Sequence, residues 1–552
     1  MPASPDPLTA TRADDLRRRA EERARIEAAP LPASIDHLLR DAVMANAGRH
    51  VLTEIATGRT LTYEQLGRQV AQNAGALRAG GVAHGTRVAV LLPNILEFPV
   101  TWLALARLGA VMVPVNTRFT TTELAFLLRD SGATHLVTDT GGEALADATD
   151  PTLRAGLRVL HAIDPASSAN PASGAPPVEA AAATVTSDSV VGLGYTSGTT
   201  GLPKACVHTH RYWLTVAAMV ARTWPGTPTR LLMDGPFFYM DPQYQLLVTL
   251  MTGAHAFLAP RPSLSRFMGR LRDHGIDCAE FPDGIAKASP SPDDRHHHLR
   301  NAWTFGLNPA KHADLERRYD IRLRESFGMT EVGMALYVPF TEMGMVGSGS
   351  CGVTAPWAET RVVDPDTLLP VEPGVVGELQ VRGPGIFLGY HDRPEANATA
   401  FLDGGWFRTG DLFTVDADGW HRIVGRLKDM VRRNGENIAA REVEGVIEQV
   451  PGIAACAVVG VPDPDRDEEV KAYLVPVDPD GPGADPATLL PAVLAHCAGH
   501  LASFKIPRYL AIRRELPMTP SMKIAKSVLR AEADDLRVGS YDRVTGTWIE
   551  EE

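Results

Sequence analysis

Along the chain, short apolar runs alternate with stretches in which apolar positions recur at helical spacing. Val88–Pro93 (VAVLLP), Val111–Asn116 (VMVPVN) and His135–Asp139 (HLVTD) read as buried strands, and Trp102–Leu108 reads as helix. Strands alternating with helices predict βαβ units around a parallel sheet. Upstream, residues 10–29 are rich in Ala, Arg and Glu and predict a charged surface helix leading into the fold. Residues 164–188 turn to Ala, Pro and Ser, which bury little surface and predict an exposed linker. Beyond about residue 345, Gly and Val with short strand-like pieces (TRVVD, GELQVRG) predict a β-rich section. The patterns EVEGVIEQV, AACAVVGV and EVKAYLVPV then predict a small α+β unit at the C-terminal end.

Length and composition narrow the picture. At 552 residues, 44% hydrophobic and 22% charged, the chain is globular and long enough for two or more domains. A net charge of −12 with scattered basic residues excludes a nucleic-acid footprint. No apolar run is long enough to span a bilayer and no signal-peptide pattern opens the chain, so a cytoplasmic protein is expected. Five widely spaced cysteines without CxxC spacing are expected to be reduced and structural. The run His296–His298, set among Asp293, Asp294, Arg295 and Arg300, is expected on a solvated surface rather than at a metal. Ala/Arg-rich usage points to a GC-rich bacterial source, and the oligomeric state, a homodimer among the options, stays open.

Candidate chemistry is concentrated in Tyr195–His210, YTSGTTGLPKACVHTH. Thr196, Ser197, Gly198, Thr199, Thr200 and Gly201 offer hydroxyls and closely approachable backbone N–H groups, and Lys204 adds charge; together they suit a polyphosphate. The string is not a P-loop, because Gly201 is followed by Leu202 and Pro203 instead of lysine. A flexible surface turn is the bland alternative.

This string is similar to the signature of the adenylate-forming superfamily, which holds acyl- and aryl-CoA ligases, luciferases and peptide-synthetase adenylation domains. ESFGMTE (Glu325–Glu331), GWFRTGDL (Gly405–Leu412), GRLKDMVRRNGENIAAREVE (Gly425–Glu444) and PMTPSMKIAK (Pro517–Lys526) follow in the family's order. The resemblance implies an α/β fold: an N-terminal extension (1–34), a large AMP-binding domain of βαβ-built sheets with a β-rich subdomain (35–427), and a small mobile C-terminal lid (428–552). It implies an AMP-forming ligase using ATP and Mg²⁺, with CoA as the default co-substrate.

By the same resemblance, Gly306, Asn308, Glu325, Ser326, Phe327, Gly328, Met329 and Thr330 would line the nucleotide, Thr330 at the α-phosphate and Glu331 on Mg²⁺. Standing alone, Thr330-Glu331 could equally start a helix. Asp411 would accept both ribose hydroxyls, as an acceptor-only carboxylate can, with Arg426 beside it; a β-turn aspartate is the alternative. Lys428 would be the interdomain hinge. Lys204 and Lys523 would be catalytic, Lys523 bridging the substrate oxyanion and the α-phosphate; Lys526, three residues on, is its competitor. Gly435, Glu436 and Asn437 would line a tunnel for the acceptor.

Four departures bear on the substrate. Met522 replaces the glycine that usually precedes the catalytic lysine, Phe327 replaces a tyrosine, Gly306–Pro309 (GLNP) replaces a Gly-Ala-Pro-like ledge, and Tyr239 stands where many relatives carry histidine. Phe238, Tyr239 and Asp241 are the expected substrate-pocket residues, although the cluster Phe237–Met240 could equally be ordinary core. The C-terminal half looks most like the carnitine/crotonobetaine-CoA ligase branch, and also resembles diazotases that activate nitrite and pass it to an aromatic amine. Nitrite with an aryl amine is therefore the rival to an organic carboxylate with CoA. A protein that binds nucleotide without catalysis is disfavoured by the presence of Lys204, Glu331, Asp411, Arg426 and Lys523.

Overall fold

The computed structural model describes residues 7–162, 176–196, 203–433, 436–519 and 523–550. The expected βαβ region is a six-stranded sheet. Its order is Arg158–His161, His135–Thr138, Arg87–Leu91, Val111–Pro114, Val190–Thr196, Lys204–Thr209, parallel except for the last antiparallel pair. The helix Glu97–Leu108 is buried from Glu97 to Arg107, which explains its apolar residues on every side, and it stops at Gly109 in the left-handed region (φ 67°). A second sheet joins Thr60–Thr62, His50–Glu54, His255–Leu258 and Arg230–Met233. A third runs Ala279–Glu280, Asn301–Thr304, Arg322–Met329, Gly333–Tyr337, Val353–Thr354.

The β-rich section is a separate sheet of Glu359–Val363, Gly377–Arg382, Trp406–Val415 and Phe401–Leu402, with His421–Arg426 paired to Trp406–Val415. Downstream, the C-terminal domain packs its own core, including Val431, Val443, Val458, Leu474 and Leu510. A large N-terminal domain and a smaller C-terminal one thus carry independent apolar clusters.

The charged helix spans Pro7–Ala28 and is strapped down at several points. Arg23 donates to the Ala358 carbonyl (2.7 Å), Arg19 lies over Trp420, and Arg222 donates to the carbonyls of Ile26, Ala29 and Pro30.

One expectation is refined and one corrected. Residues 164–175 of the expected linker lie outside the described residues, and its second part is mostly exposed, as expected, but tethered to the fold. Val178 N–H donates to Ala71, Ala181 N–H donates to Asp36, and Arg107, paired with Asp36 at 2.6 Å, donates to the Val178 carbonyl. A buried ion pair thereby satisfies the backbone that composition alone would leave to solvent. Within the histidine run, His296 is exposed as expected, whereas His297 is 6% exposed because its Nε2 lies 3.0 Å from the Tyr319 carbonyl. All five cysteines are free and buried, as expected, and no helix among the described residues is long and apolar enough to cross a membrane.

Candidate active site

The hairpin formed by Arg322–Met329 and Gly333–Tyr337 carries Thr330 and Glu331 in its turn, not at a helix start. Gly333 closes that turn with φ 62°, and a Cβ there would crowd the Val216 side chain, so the position favours glycine. The Thr330 carbonyl accepts from Tyr212 Oη (3.0 Å) and lies 2.8 Å from His208 Nε2. The His208 ring stacks on Tyr212 at 4.1 Å, and burial pushes its pKa down to about 4. At neutral pH the uncharged ring therefore donates from Nε2 and leaves Nδ1 buried without a partner.

Glu331 is 7% exposed and accepts from Tyr390 Oη at 3.0 Å. Burial raises its carboxyl above the ordinary range. The Tyr390 ring in turn lies 4.9 Å beneath Lys204 Nζ. Tyr390 thus joins the lysine of one expected motif to the carboxylate of another. A single buried carboxylate without a salt-bridge partner among the described residues fits a hard divalent cation that takes its remaining oxygens from phosphate and water. Among the described residues, no group of three or more His, Cys, Asp or Glu could hold a metal unaided.

Thr196 and Lys204 are paired across the hairpin of Val190–Thr196 and Lys204–Thr209, so the two ends of the expected phosphate loop are fixed opposite each other. Ser197, Gly198, Thr199, Thr200 and Gly201 lie outside the described residues, as do Met522 and Gly435.

Of the string expected along the nucleotide, part faces inward. Glu325 accepts from the Gly306 N–H (3.1 Å) and the Leu307 N–H, and burial pushes its pKa up to about 7 against those two bonds. Its carboxylate thereby shapes the Gly306–Asn308 ledge, where Gly306 has φ 73° and Asn308 caps the helix Pro309–Tyr319. Ser326 is buried, and Phe327 packs edge-on against Phe413 with centroids 5.0 Å apart. Gly328, Met329 and Thr330 are the half-exposed members.

Asp411 sits in a strand, not a turn, opposite Arg426 in register. Arg426 Nε lies 2.9 Å from Asp411 Oδ1, an ion pair by distance, but the alignment is not that of a hydrogen bond and the buried Oδ1 has no donor. Burial raises the carboxyl while Arg426 pulls it back. A buried acceptor left short of a donor is what a hydroxylated ligand can complete.

Two residues past Arg426, Lys428 lies in a single 3₁₀ turn, Leu427–Asp429, and burial brings its pKa down to about 8. Lys523 comes from the C-terminal domain, its amide donating to Thr519 Oγ1 at 3.1 Å. Its side chain opens to solvent on one side and is crowded on the other. Desolvation, then Arg426, hold its ammonium below the ordinary lysine range, and Asp411 and Asp241 oppose them. Lys523 therefore lies within electrostatic reach of both the Asp411 side and the Asp241 side of the cleft. Lys526 is occupied elsewhere, paired with Glu444 at 2.6 Å. Glu436 and Asn437 lie in the strand Glu436–Ala439.

The aromatic cluster divides between its two expected roles. Phe237 is core, packed on Phe98 at 4.9 Å, and its N–H is held by Asn94 Oδ1 at 2.8 Å. Phe238 and Tyr239, half-buried and edge-on at 4.7 Å, line a cavity with Gly194, Trp213 and Thr330. Asp241 follows in the first turn of the helix Met240–Thr252. Sequence reasoning assigned no role to His208, Tyr212 or Tyr390. His208 lay inside the quoted string, whereas nothing local marked Tyr390.

Known proteins resemble this chain along most of its length. The family model described as AMP-binding enzyme matches residues 39–391, and that described as AMP-binding enzyme C-terminal domain matches 442–523. A feruloyl-CoA synthase from Amycolatopsis is 36% identical over 483 residues, covering 86% of this chain and 94% of its own. A crotonobetaine/carnitine–CoA ligase from Salmonella arizonae is 31% identical over 492 residues, covering 85% and 93%. The ATP-bound structure of MatB from Rhodopseudomonas palustris superposes with a TM-score of 0.81 at 26% identity, covering 91% of this chain and 100% of that one.

Proposed function

This chain belongs to the AMP-binding enzyme family, and from that premise we propose a division of labour for an ATP-dependent, AMP-forming ligase that activates an organic carboxylate and passes the acyl group to CoA. In the first half-reaction a carboxylate oxygen bonds to the α-phosphorus as the bond to the β-phosphate oxygen breaks, and pyrophosphate leaves. In the second, the CoA sulfur bonds to the acyl carbon and AMP leaves. Asp411 accepts the ribose hydroxyls with Arg426 beside it, Lys204 and the loop 196–201 hold phosphate oxygens, and Thr330 meets the α-phosphate. Mg²⁺, held by Glu331, supplies neutralisation of phosphate charge. Lys523 bridges carboxylate and α-phosphate, placing positive charge where negative charge gathers in the transition state. Phe238, Tyr239 and Asp241 face the acid, and Gly435–Asn437 lines the acceptor's path. The chain divides at Lys428, with 1–34 as an extension, 35–427 as the large domain and 428–552 as the lid.

What supports this reading is that Lys523, a cation of the C-terminal domain, has both Asp411 and Asp241 among the charges that act on it. Its test is pyrophosphate release with ATP and Mg²⁺ against aliphatic acids, aryl acids and nitrite, each with and without CoA or an aryl amine. Release that needs a carboxylate, with a CoA thioester formed, is expected. Release that needs nitrite, with diazo product from the amine and indifference to CoA, would replace the carboxylate reading.

A further inference from the structure

The helix Met240–Thr252 turns Asp241, Tyr244 and Gln245 to one side, since positions three and four apart share a face. Opposite them stands Glu280, in the short strand Ala279–Glu280. Tyr244 Oη and Gln245 Nε2 (3.1 Å) both donate to Glu280 Oε1. Every described donor on this carboxylate therefore goes to one oxygen, and Oε2 has none. Gln245 is 7% exposed, and with its amide nitrogen spent on Glu280 its carbonyl Oε1 is buried without a partner. Neither Asp241 nor Glu280 has a salt-bridge partner among the described residues.

Both acids keep part of their surface accessible and so are not wholly enclosed in the core. Burial pushes both carboxyls upward, Glu280 further because of the Asp241 charge. Asp241 directly follows Tyr239 and Met240, which line one cavity with Thr330, and the cation acting on it is Lys523, so these acids adjoin the proposed reacting end.

Resting on the carboxylate reading above, we propose that Asp241, Glu280 and Gln245 form a subsite for a primary amino group carried by the activated acid. The count of donors selects this group. Once an ammonium group displaces to solvent the proton that burial holds on Glu280, Asp241, Glu280 Oε2 and the Gln245 carbonyl are all acceptors in want of hydrogens; a hydroxyl supplies one, and an amino or ammonium group supplies two or three. A purely apolar acyl chain would leave these acceptors dry and unpaired, which a buried polar site resists strongly. The chemistry is shared by aryl amines and alkylammonium groups, so the test uses both.

The experiment measures pyrophosphate release for matched acids: benzoate, hydroxybenzoate and aminobenzoate isomers, and hexanoate against 6-aminohexanoate. At least one amino acid of these pairs is expected to exceed its parent about tenfold or more in kcat/KM. Glu280→Gln is expected to lower that ratio about tenfold, chiefly through KM. Calorimetric titration of ATP checks that the variant is folded. Parent acids used as well as their amino counterparts in both series, or an unchanged ratio in a folded Glu280→Gln protein, would overturn the subsite. If no acid releases pyrophosphate, the carboxylate reading fails separately. Calorimetric binding of aminobenzoate against benzoate to wild type and Glu280→Gln then decides the subsite: a preference lost in the variant upholds it, and none overturns it.

Discussion

The two walls of the cleft treat buried acids differently. On the nucleotide side, Asp411 has a guanidinium 2.9 Å away, and Glu331 has a phenol whose ring carries a lysine. On the other side, Asp241 and Glu280 have no ion-pair partner among the described residues, Glu280 takes only neutral donors, and the cation acting on Asp241 is Lys523 of the other domain. Where the ligand is a fixed, highly charged group, the protein supplies the balancing partners itself. Where it withholds them, the balance is left to the incoming molecule. On the function and subsite proposed above, charge compensation would separate the part of the site that serves the reaction from the part that selects its substrate.

The largest effect that would break this contrast comes from the residue between the walls. Lys523→Ala is expected to lower adenylation about 10²- to 10³-fold while ATP binding, followed by calorimetry, persists and a supplied acyl-adenylate still yields thioester. Equal loss in all three assays would erase the separation. Next, Asp411→Ala should raise KM for ATP by about tenfold to a hundredfold, the cost of a hydrogen bond to a charged group, with KM for the acid nearly unmoved; steady-state kinetics with each substrate varied in turn reads this. Tyr390→Phe keeps the ring under Lys204 and removes the hydroxyl from Glu331. It should raise the Mg²⁺ concentration for half-maximal rate roughly fivefold, in line with one hydrogen bond.

The smallest effect concerns stability on the opposite wall. The folded state raises the Glu280 pKa, so from the ordinary carboxylate range upward the native protein holds a proton that the unfolded chain has released, and stability falls as pH rises. Glu280→Gln removes this dependence. Its melting temperature should exceed that of the wild type by about 1–3 °C at alkaline pH and converge with it at acid pH, measured by calorimetric scans across that range.

Legibility in the sequence follows the same division. Thr330, Glu331, Asp411 and Lys523 lie in contiguous strings because the backbone that presents each one has its own local needs, such as the glycine that closes the hairpin after Glu331. Tyr390 and Glu280 are illegible for the opposite reason. Tyr390 meets Glu331 from 59 positions away and Glu280 meets Tyr244 from 36, and neither contact imposes a local pattern. The sheets were legible in their apolar runs. The docking of residues 176–188 was not, because it depends on Asp36 and Arg107 meeting from separate helices. His297 was misread for a related reason: its neighbours in sequence are charged, whereas its partner, Tyr319, lies at the end of a later helix.

Arg426 is the last residue of the strand that sets it against Asp411, and Lys428 follows after one intervening residue. So short a tether has little slack. A C-terminal domain swinging about Lys428 would drag the guanidinium along and loosen the proposed hold of Asp411 and Arg426 on the ribose in the same stroke that carries Lys523 away. Hold on the nucleotide and pose of the lid would then be geared together, so that a tightly held adenylate resists the swing and a released one frees it.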